Sequence, residues 1–352
     1  MTKVDYAALR RNLDPEGAYE RNIDLPQQCR DAWQAVQAFT LPDEYREIDQ
    51  VIVAGMGGSA IAADFLQALC YRESKTPVTV VRGYALPEWA GPRTLVIACS
   101  HSGNTEETLA DFDQARKRGC KIVAVTTGGR VKQLALEKHL PLLTYDFYPE
   151  PRSAFGHGFV RLLAIARAAG FLEVDAARVE AAIAEIDAMR PSLEETAAEQ
   201  HNPAKALAER LHDRLAYVIG GEFLAPVARR WKTQINENAD SWAIWEDLPE
   251  LHHNTVVGLG LPVDVAQKIH AVILSHAGLS ERLRLRGQIT TELFDRWHIS
   301  YEVLDVGGPE PMAAMLRGVY LGSMVSFYLA MLNGVHPSEI DNINYLKDRL
   351  SG

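Results

Sequence analysis

The sequence predicts an α/β protein built as two similar three-layer domains, each a parallel sheet between helices. Three observations point there. Short apolar runs, such as Gln50–Ala54 and Thr94–Cys99, are rich in Val, Ile and Leu without strict alternation, as strands buried on both faces are. Helical patterns separate most of these runs, which is the signature of βαβ units. The two halves also open alike: VIVAGMGGSAIAADF and YVIGGEFLAPVA each place glycines between an apolar strand and a helix. A chain of 352 residues, at ~150 per domain, suits about two domains.

In chain order, helical material over residues 4–48 is broken by Pro26 and Pro42. Strand candidates follow at Gln50–Ala54, Val78–Arg82, Thr94–Cys99, Lys121–Thr126 and Leu140–Tyr145. Helices at Ile61–Tyr71, Glu106–Arg118 and Val131–Leu136 lie between them. Two prolines in Tyr148–Arg152, then Gly156 and Gly158, mark a connection, so the domains are expected at residues 1–150 and 151–352. The second half adds helices at Phe159–Ala169, Ala176–Met189, Phe223–Ile235 and Leu279–Trp297. Its strand candidates are Leu215–Ile219, Trp242–Trp245, Thr255–Leu259, Ala271–Ser275 and Tyr301–Leu304, so two five-stranded sheets are expected.

The formal charge of −10 repels phosphate backbones at long range and argues against a nucleic-acid binder. A pocket with a few donors can still hold a small anion. No apolar stretch follows the charges of MTKVDYAALRRNLDPEG, so no export signal is read there. The apolar run Gly318–Leu332 is shorter than the ~20 residues of a membrane span and is expected to be a buried helix. Cys29, Cys70, Cys99 and Cys120 show no metal-ligand spacing. A cytoplasmic protein without membrane association, structural metal or cofactor is the expectation.

Two loops carry the chemistry. Gly55-Met56-Gly57-Gly58-Ser59-Ala60 fits GxGxxA, yet the second strand ends in Arg82 rather than the acid that a dinucleotide ribose requires, which leaves only a dinucleotide whose 2′-phosphate meets that arginine. Packing alone is a further explanation of the glycines. Thr94–Cys99 runs into Ser100-His101-Ser102-Gly103-Asn104-Thr105-Glu106-Glu107-Thr108, where a helix begins. The hydroxyls of Ser100, Ser102 and Thr105 can face one anion there, beside the free N–H groups and positive dipole end of the helix. Asn104 and Glu107 also satisfy a simple capping box.

G-M-G-G-S followed by S-x-S-G-N-T-E-E-T resembles the sugar isomerase (SIS) fold, which binds phosphosugars. Asn236-Glu237-Asn238-Ala239 and His252-His253-Asn254 narrow the resemblance to the bifunctional phosphoglucose/phosphomannose isomerases, over about Tyr19 to Leu350. The resemblance implies a metal-independent aldose–ketose isomerase acting on a hexose-6-phosphate, as a homodimer with shared sites. Ser59, Ser100, Ser102 and Thr105 would hold the phosphate, with Gly57 and Gly58 letting the backbone approach the sugar. Glu237 would be the base and His253 the ring-opening acid/base from the neighbouring subunit, with adjacent His252 the confounder. Arg152 would lie near the enediolate oxygens, and Lys347 would reach the site from the C-terminal helix. Ile340 departs from a threonine found in some relatives, with Ser338 two residues earlier, and His101 stands where relatives often have tyrosine. A non-catalytic phosphosugar regulator and an aminosugar-phosphate isomerase share the fold and remain alternatives.

Overall fold

The computed structural model describes residues 4–350. The reading of the N-terminal stretch rests in part on residues 1–3, which lie outside the described residues. The first five strands are β1 (Gln50–Ala54), β2 (Val78–Val81), β3 (Thr94–Cys99), β4 (Lys121–Thr126) and β5 (Leu142–Thr144). They form one parallel sheet in the order β2-β1-β3-β4-β5. Every residue of β3, and Val51 through Ala54 of β1, is buried, which accounts for their unalternated apolar composition.

Register pairs Gln50 with Thr94 and Ala54 with Ala98, so β1 and β3 end level. The chain leaves β1 toward one edge of the sheet and β3 toward the other. Their carboxyl ends are therefore the topological switch point, where the outgoing connections diverge and leave a crevice. Helices Gly57–Glu73 and Glu106–Lys117 start there.

Residues 25–184 form one compact unit, and residues up to 24 join those from 185 onward in the other. The units thus divide the chain differently from a cut at residue 150. Helix Phe155–Ala169 stays with the first sheet because it packs on helices Leu25–Ala35 and Gly57–Glu73. Helices Tyr6–Leu13 and Ala18–Ile23 belong with the second unit, where Tyr320 donates to the Ile23 carbonyl (2.8 Å).

The second unit holds β6 (Leu215–Gly221), β7 (Ala243–Leu248), β8 (Ile269–Ser275) and β9 (Ser300–Asp305), all parallel, in the order β7-β6-β8-β9. This repeats the winding of β1 to β4. The sheet has four strands rather than the five expected. The strand expected at Thr255–Leu259 is instead a short 3-10 turn at Thr255–Val257, because the Asn254 side chain accepts from the Thr255 N–H (2.7 Å) and starts a turn.

Helix Pro311–Asn333 contains the apolar run and is long and apolar enough to cross a membrane, but 89% of its most apolar window is buried inside the protein. Its glycines are explained by helix Ala225–Ala239: a Cβ on Gly322 would lie 2.2 Å from the Trp231 indole nitrogen, which donates to the Gly318 carbonyl (2.8 Å), and a Cβ on Gly318 would lie 2.7 Å from Val227.

Helix Glu106–Lys117 buries Asp111, whose carboxylate oxygens find no hydrogen-bond partner among the described residues. Burial first, and then the Glu107 charge, raise its pKa from 3.8 to about 6. The folded value lies above the unfolded one, so the native state binds more protons between them. The contribution of this carboxyl to stability is then fully present below pH 3.8 and is lost as the pH rises through about 6. Asp111→Asn should raise stability at pH 8 by roughly 2 kcal/mol, with the gain vanishing toward pH 4. Parallel unfolding curves for the two proteins across that range would contradict this.

Candidate active site

In the unit of residues 25–184, the switch-point crevice gathers both loops. Ser100 is buried, and its Oγ lies 2.8 Å from Thr105 Oγ1 while accepting from the Gly103 N–H (3.0 Å). Ser102 is exposed, and its Oγ accepts from the Asn104 N–H (3.2 Å). The capping-box alternative is not realised. Asn104 Oδ1 accepts instead from the Arg130 N–H (3.0 Å), and Thr105, at the N-cap, makes no side-chain capping bond among the described residues. Helix Gly57–Glu73 likewise begins at Met56 without a side-chain cap. Two helix starts with open N–H groups beside three hydroxyls are chemically suited to a phosphomonoester.

Glycines hold this arrangement. Gly103 has φ +72°, and a Cβ there would sit 1.9 Å from the Gly128 carbonyl oxygen. Gly55 lets β1 close on β3, since its Cβ would lie 2.7 Å from the Cys99 carbonyl and 3.4 Å from Ser59 Cβ. Ser59, half-buried in the first turn of helix Gly57–Glu73, is thereby fixed beside the start of the hydroxyl loop. Gly58 has a packing reason besides the one expected from sequence: a Cβ would lie 2.6 Å from the Pro151 carbonyl oxygen. Gly57 has φ +49° and faces open space.

Arg152 sits on the 3-10 turn Pro151–Ala154, which packs on helix Gly57–Glu73, with the Arg152 backbone nitrogen 3.2 Å from the position of a Gly58 Cβ. It is buried rather than solvated, at 4% exposure. Arg82, the residue that kept a dinucleotide in play, is occupied by Asp64 (2.5 Å) and the Ala60 carbonyl (3.2 Å).

In the other unit, Glu237 is half-buried near the end of helix Ala225–Ala239. Both neighbouring asparagines are anchored: Asn236 donates to the Ser241 carbonyl (2.8 Å) and Asn238 to Ser326 Oγ (3.0 Å). Gln234 accepts from Ser323 (3.1 Å), so this stretch of helix is pinned to helix Pro311–Asn333. Glu237 lines a cavity of about 270 Å³ with Asn236, Asp240 and residues 339–343, including Ile340.

Arg230 escaped the sequence reading. It is buried two turns ahead of Glu237 on the same helix. Burial lowers its pKa to about 9, and the Glu237 charge opposes that shift. The seven-residue spacing on one helical face was the signal available for it.

His252 and His253 part company. Arg286 donates to His252 Nδ1 (3.0 Å), so Nε2 carries the proton toward Thr290 Oγ1 (2.9 Å). Burial, then Arg286 and His253, lower the His252 pKa. His253 is exposed, does not line the Glu237 cavity, and precedes the exposed apolar residues Val257 and Leu261. Lys347 lies on helix Asp341–Leu350, which is exposed along its length.

Comparison with known proteins matches residues 44–138 to the SIS domain and residues 200–350 to the bacterial phospho-glucose isomerase C-terminal SIS domain. Tagatose-6-phosphate ketose/aldose isomerase from Escherichia coli has a similar fold, with TM-score 0.69 and 14% identity, covering 97% of this chain and 98% of that one. The bifunctional phosphoglucose/phosphomannose isomerase of Aquifex aeolicus is 31% identical over 85% of this chain and 90% of its own length. That of Caldicellulosiruptor bescii is 33% identical over 95% of this chain and 98% of its own. Sequence likeness at this level over nearly the whole of both proteins places the chain in the family of bifunctional phosphoglucose/phosphomannose isomerases.

Proposed function

We propose that this chain interconverts glucose-6-phosphate and mannose-6-phosphate with fructose-6-phosphate through a cis-enediolate, as a cytoplasmic homodimer. The observation that carries the reading is the switch-point crevice, where two uncapped helix starts meet Ser59, Ser100, Ser102 and Thr105. Those groups hold the phosphate without fixed positive charge, so the product can leave. Glu237 takes the C2 proton of the opened aldose. The electron pair of the broken C–H bond forms the C1–C2 double bond and places charge on the C1 oxygen. The O2 hydroxyl proton passes to O1, and as the C2 carbonyl forms the same carboxyl returns its proton to C1. Arg152 stabilises the enediolate oxygens, and Lys347 adds positive charge at the site. His253 opens the ring by protonating the ring oxygen and taking the C1 hydroxyl proton.

His252 is committed to Arg286 and Thr290, which supports His253 as the working imidazole. The exposed Val257 and Leu261 beside it support a subunit interface that would carry His253 into a neighbour's site. The test is complementation. Glu237→Gln and His253→Ala chains are each expected to be nearly inactive. Unfolded and refolded together, they should regain about a quarter of wild-type activity, because half the dimers are mixed and each has one intact site. If activity does not return although mixed dimers form, the two residues serve the same subunit's site.

A further inference from the structure

The hydroxyl loop contains a histidine that the chemistry above leaves unused. His101, between Ser100 and Ser102, is buried to 9% exposure. Its carbonyl is clamped to the end of β4 by the Thr127 N–H (3.1 Å) and hydroxyl (2.7 Å). Its ring points the other way, with Nδ1 3.1 Å from the Tyr145 hydroxyl and Nε2 3.0 Å from the Pro149 carbonyl oxygen. A carbonyl only accepts, so Nε2 carries the proton. Nδ1 is then an acceptor, and the Tyr145 hydroxyl donates to it.

Each end of this chain of bonds is anchored. The Tyr145 ring stacks on His157 (centroids 5.1 Å apart) and lies under Arg161, 4.6 Å away. Arg161 in turn donates to the Thr144 carbonyl (3.0 Å) and the His157 carbonyl (3.1 Å). Pro149 lies three residues before Arg152, directly ahead of the turn that the Ser153 N–H closes on the Glu150 carbonyl (3.0 Å). Burial lowers the His101 pKa, so the neutral tautomer that this geometry requires is also the one that the environment favours.

We propose that His101 is a positioning residue, a neutral imidazole strut that sets the spacing between the phosphate-holding hydroxyl loop and the turn bearing Arg152. The inference rests on the proposed isomerase reading, in which the loop grips the phosphate and Arg152 meets the enediolate. A strut of this kind acts on kcat more than on phosphate affinity. The loop keeps its own clamp to β4, whereas Arg152 loses its alignment.

The two ring nitrogens can be separated by substitution. A glutamine amide reaches the Nε2 position and can donate to Pro149, whereas an asparagine amide reaches only the Nδ1 position. His101→Asn should lower kcat at least about tenfold while the inhibition constant of inorganic phosphate changes by less than about threefold. His101→Gln should keep kcat within about threefold of wild type, and Asn on top of Arg152→Ala should cost less than about threefold more. The strut is overturned if Asn leaves kcat unchanged, if Gln loses as much as Asn, or if Asn costs the same factor with and without Arg152. A wild-type protein that turns over no hexose-6-phosphate removes the isomerase reading and the strut together. A working wild type with an indifferent Asn variant removes the strut alone.

Discussion

Glu237→Gln is expected to lower kcat by about a thousandfold, within the range set by removing a positioned general base. The amide keeps the size and much of the hydrogen-bonding capacity of the carboxylate but cannot accept the C2 proton. Helix Ala225–Ala239 is held by Asn236, Asn238, Gln234 and Trp231, so it should keep its place, while loss of the charge that acts on buried Arg230 should lower overall stability. Inorganic phosphate should still inhibit at concentrations within about threefold of wild type, because the hydroxyl loop is untouched. Steady-state rates in both directions, with a phosphate inhibition series, check both halves. Normal turnover by the variant would remove Glu237 from the role of base.

The second large effect is expected from one methyl group. Gly103→Ala places a side chain at φ +72°, 1.9 Å from the Gly128 carbonyl oxygen, which is itself held by Thr126 Oγ1 (2.9 Å). Backbone must move, and the backbone that moves is the loop presenting Ser100, Ser102 and Thr105. KM for fructose-6-phosphate should rise at least about tenfold and phosphate inhibition should weaken in parallel. Gly170→Ala is the control. Its φ is +76° but a Cβ meets open space at the end of helix Phe155–Ala169, so it costs only about 1 kcal/mol of backbone strain. Equal effects of the two substitutions on KM would show that the loop's geometry is not what grips the phosphate.

The first sheet was legible because its strands are buried on both faces and separated by glycine turns and helices. All five candidates overlap the strands observed, and the largest error is at Leu140–Tyr145, trimmed to Leu142–Thr144 at the sheet edge. The second sheet was harder for a physical reason. Thr255-Val256-Val257-Gly258-Leu259 has the β-branched composition of a strand, but Asn254 caps a turn there and Val257 is 85% exposed. Composition alone does not distinguish an apolar segment turned toward solvent from one turned toward a core.

The phosphate-type loop was legible for the opposite reason: its hydroxyls, glycine and helix start are contiguous in sequence, so local rules apply. Arg230 and the His101–Tyr145–Pro149 chain were not read because they depend on burial and on partners up to 48 residues away. Gly58 was read as making room for a sugar, whereas its bare backbone also makes room for Pro151, a contact that only the tertiary fold discloses.

The most direct measurement is an NMR time course of wild-type protein with fructose-6-phosphate in D2O and excess EDTA. The account predicts that glucose-6-phosphate and mannose-6-phosphate both appear, and that a fraction of each carries deuterium at C2. A protein that binds the sugar phosphate yet leaves it unchanged would contradict the account.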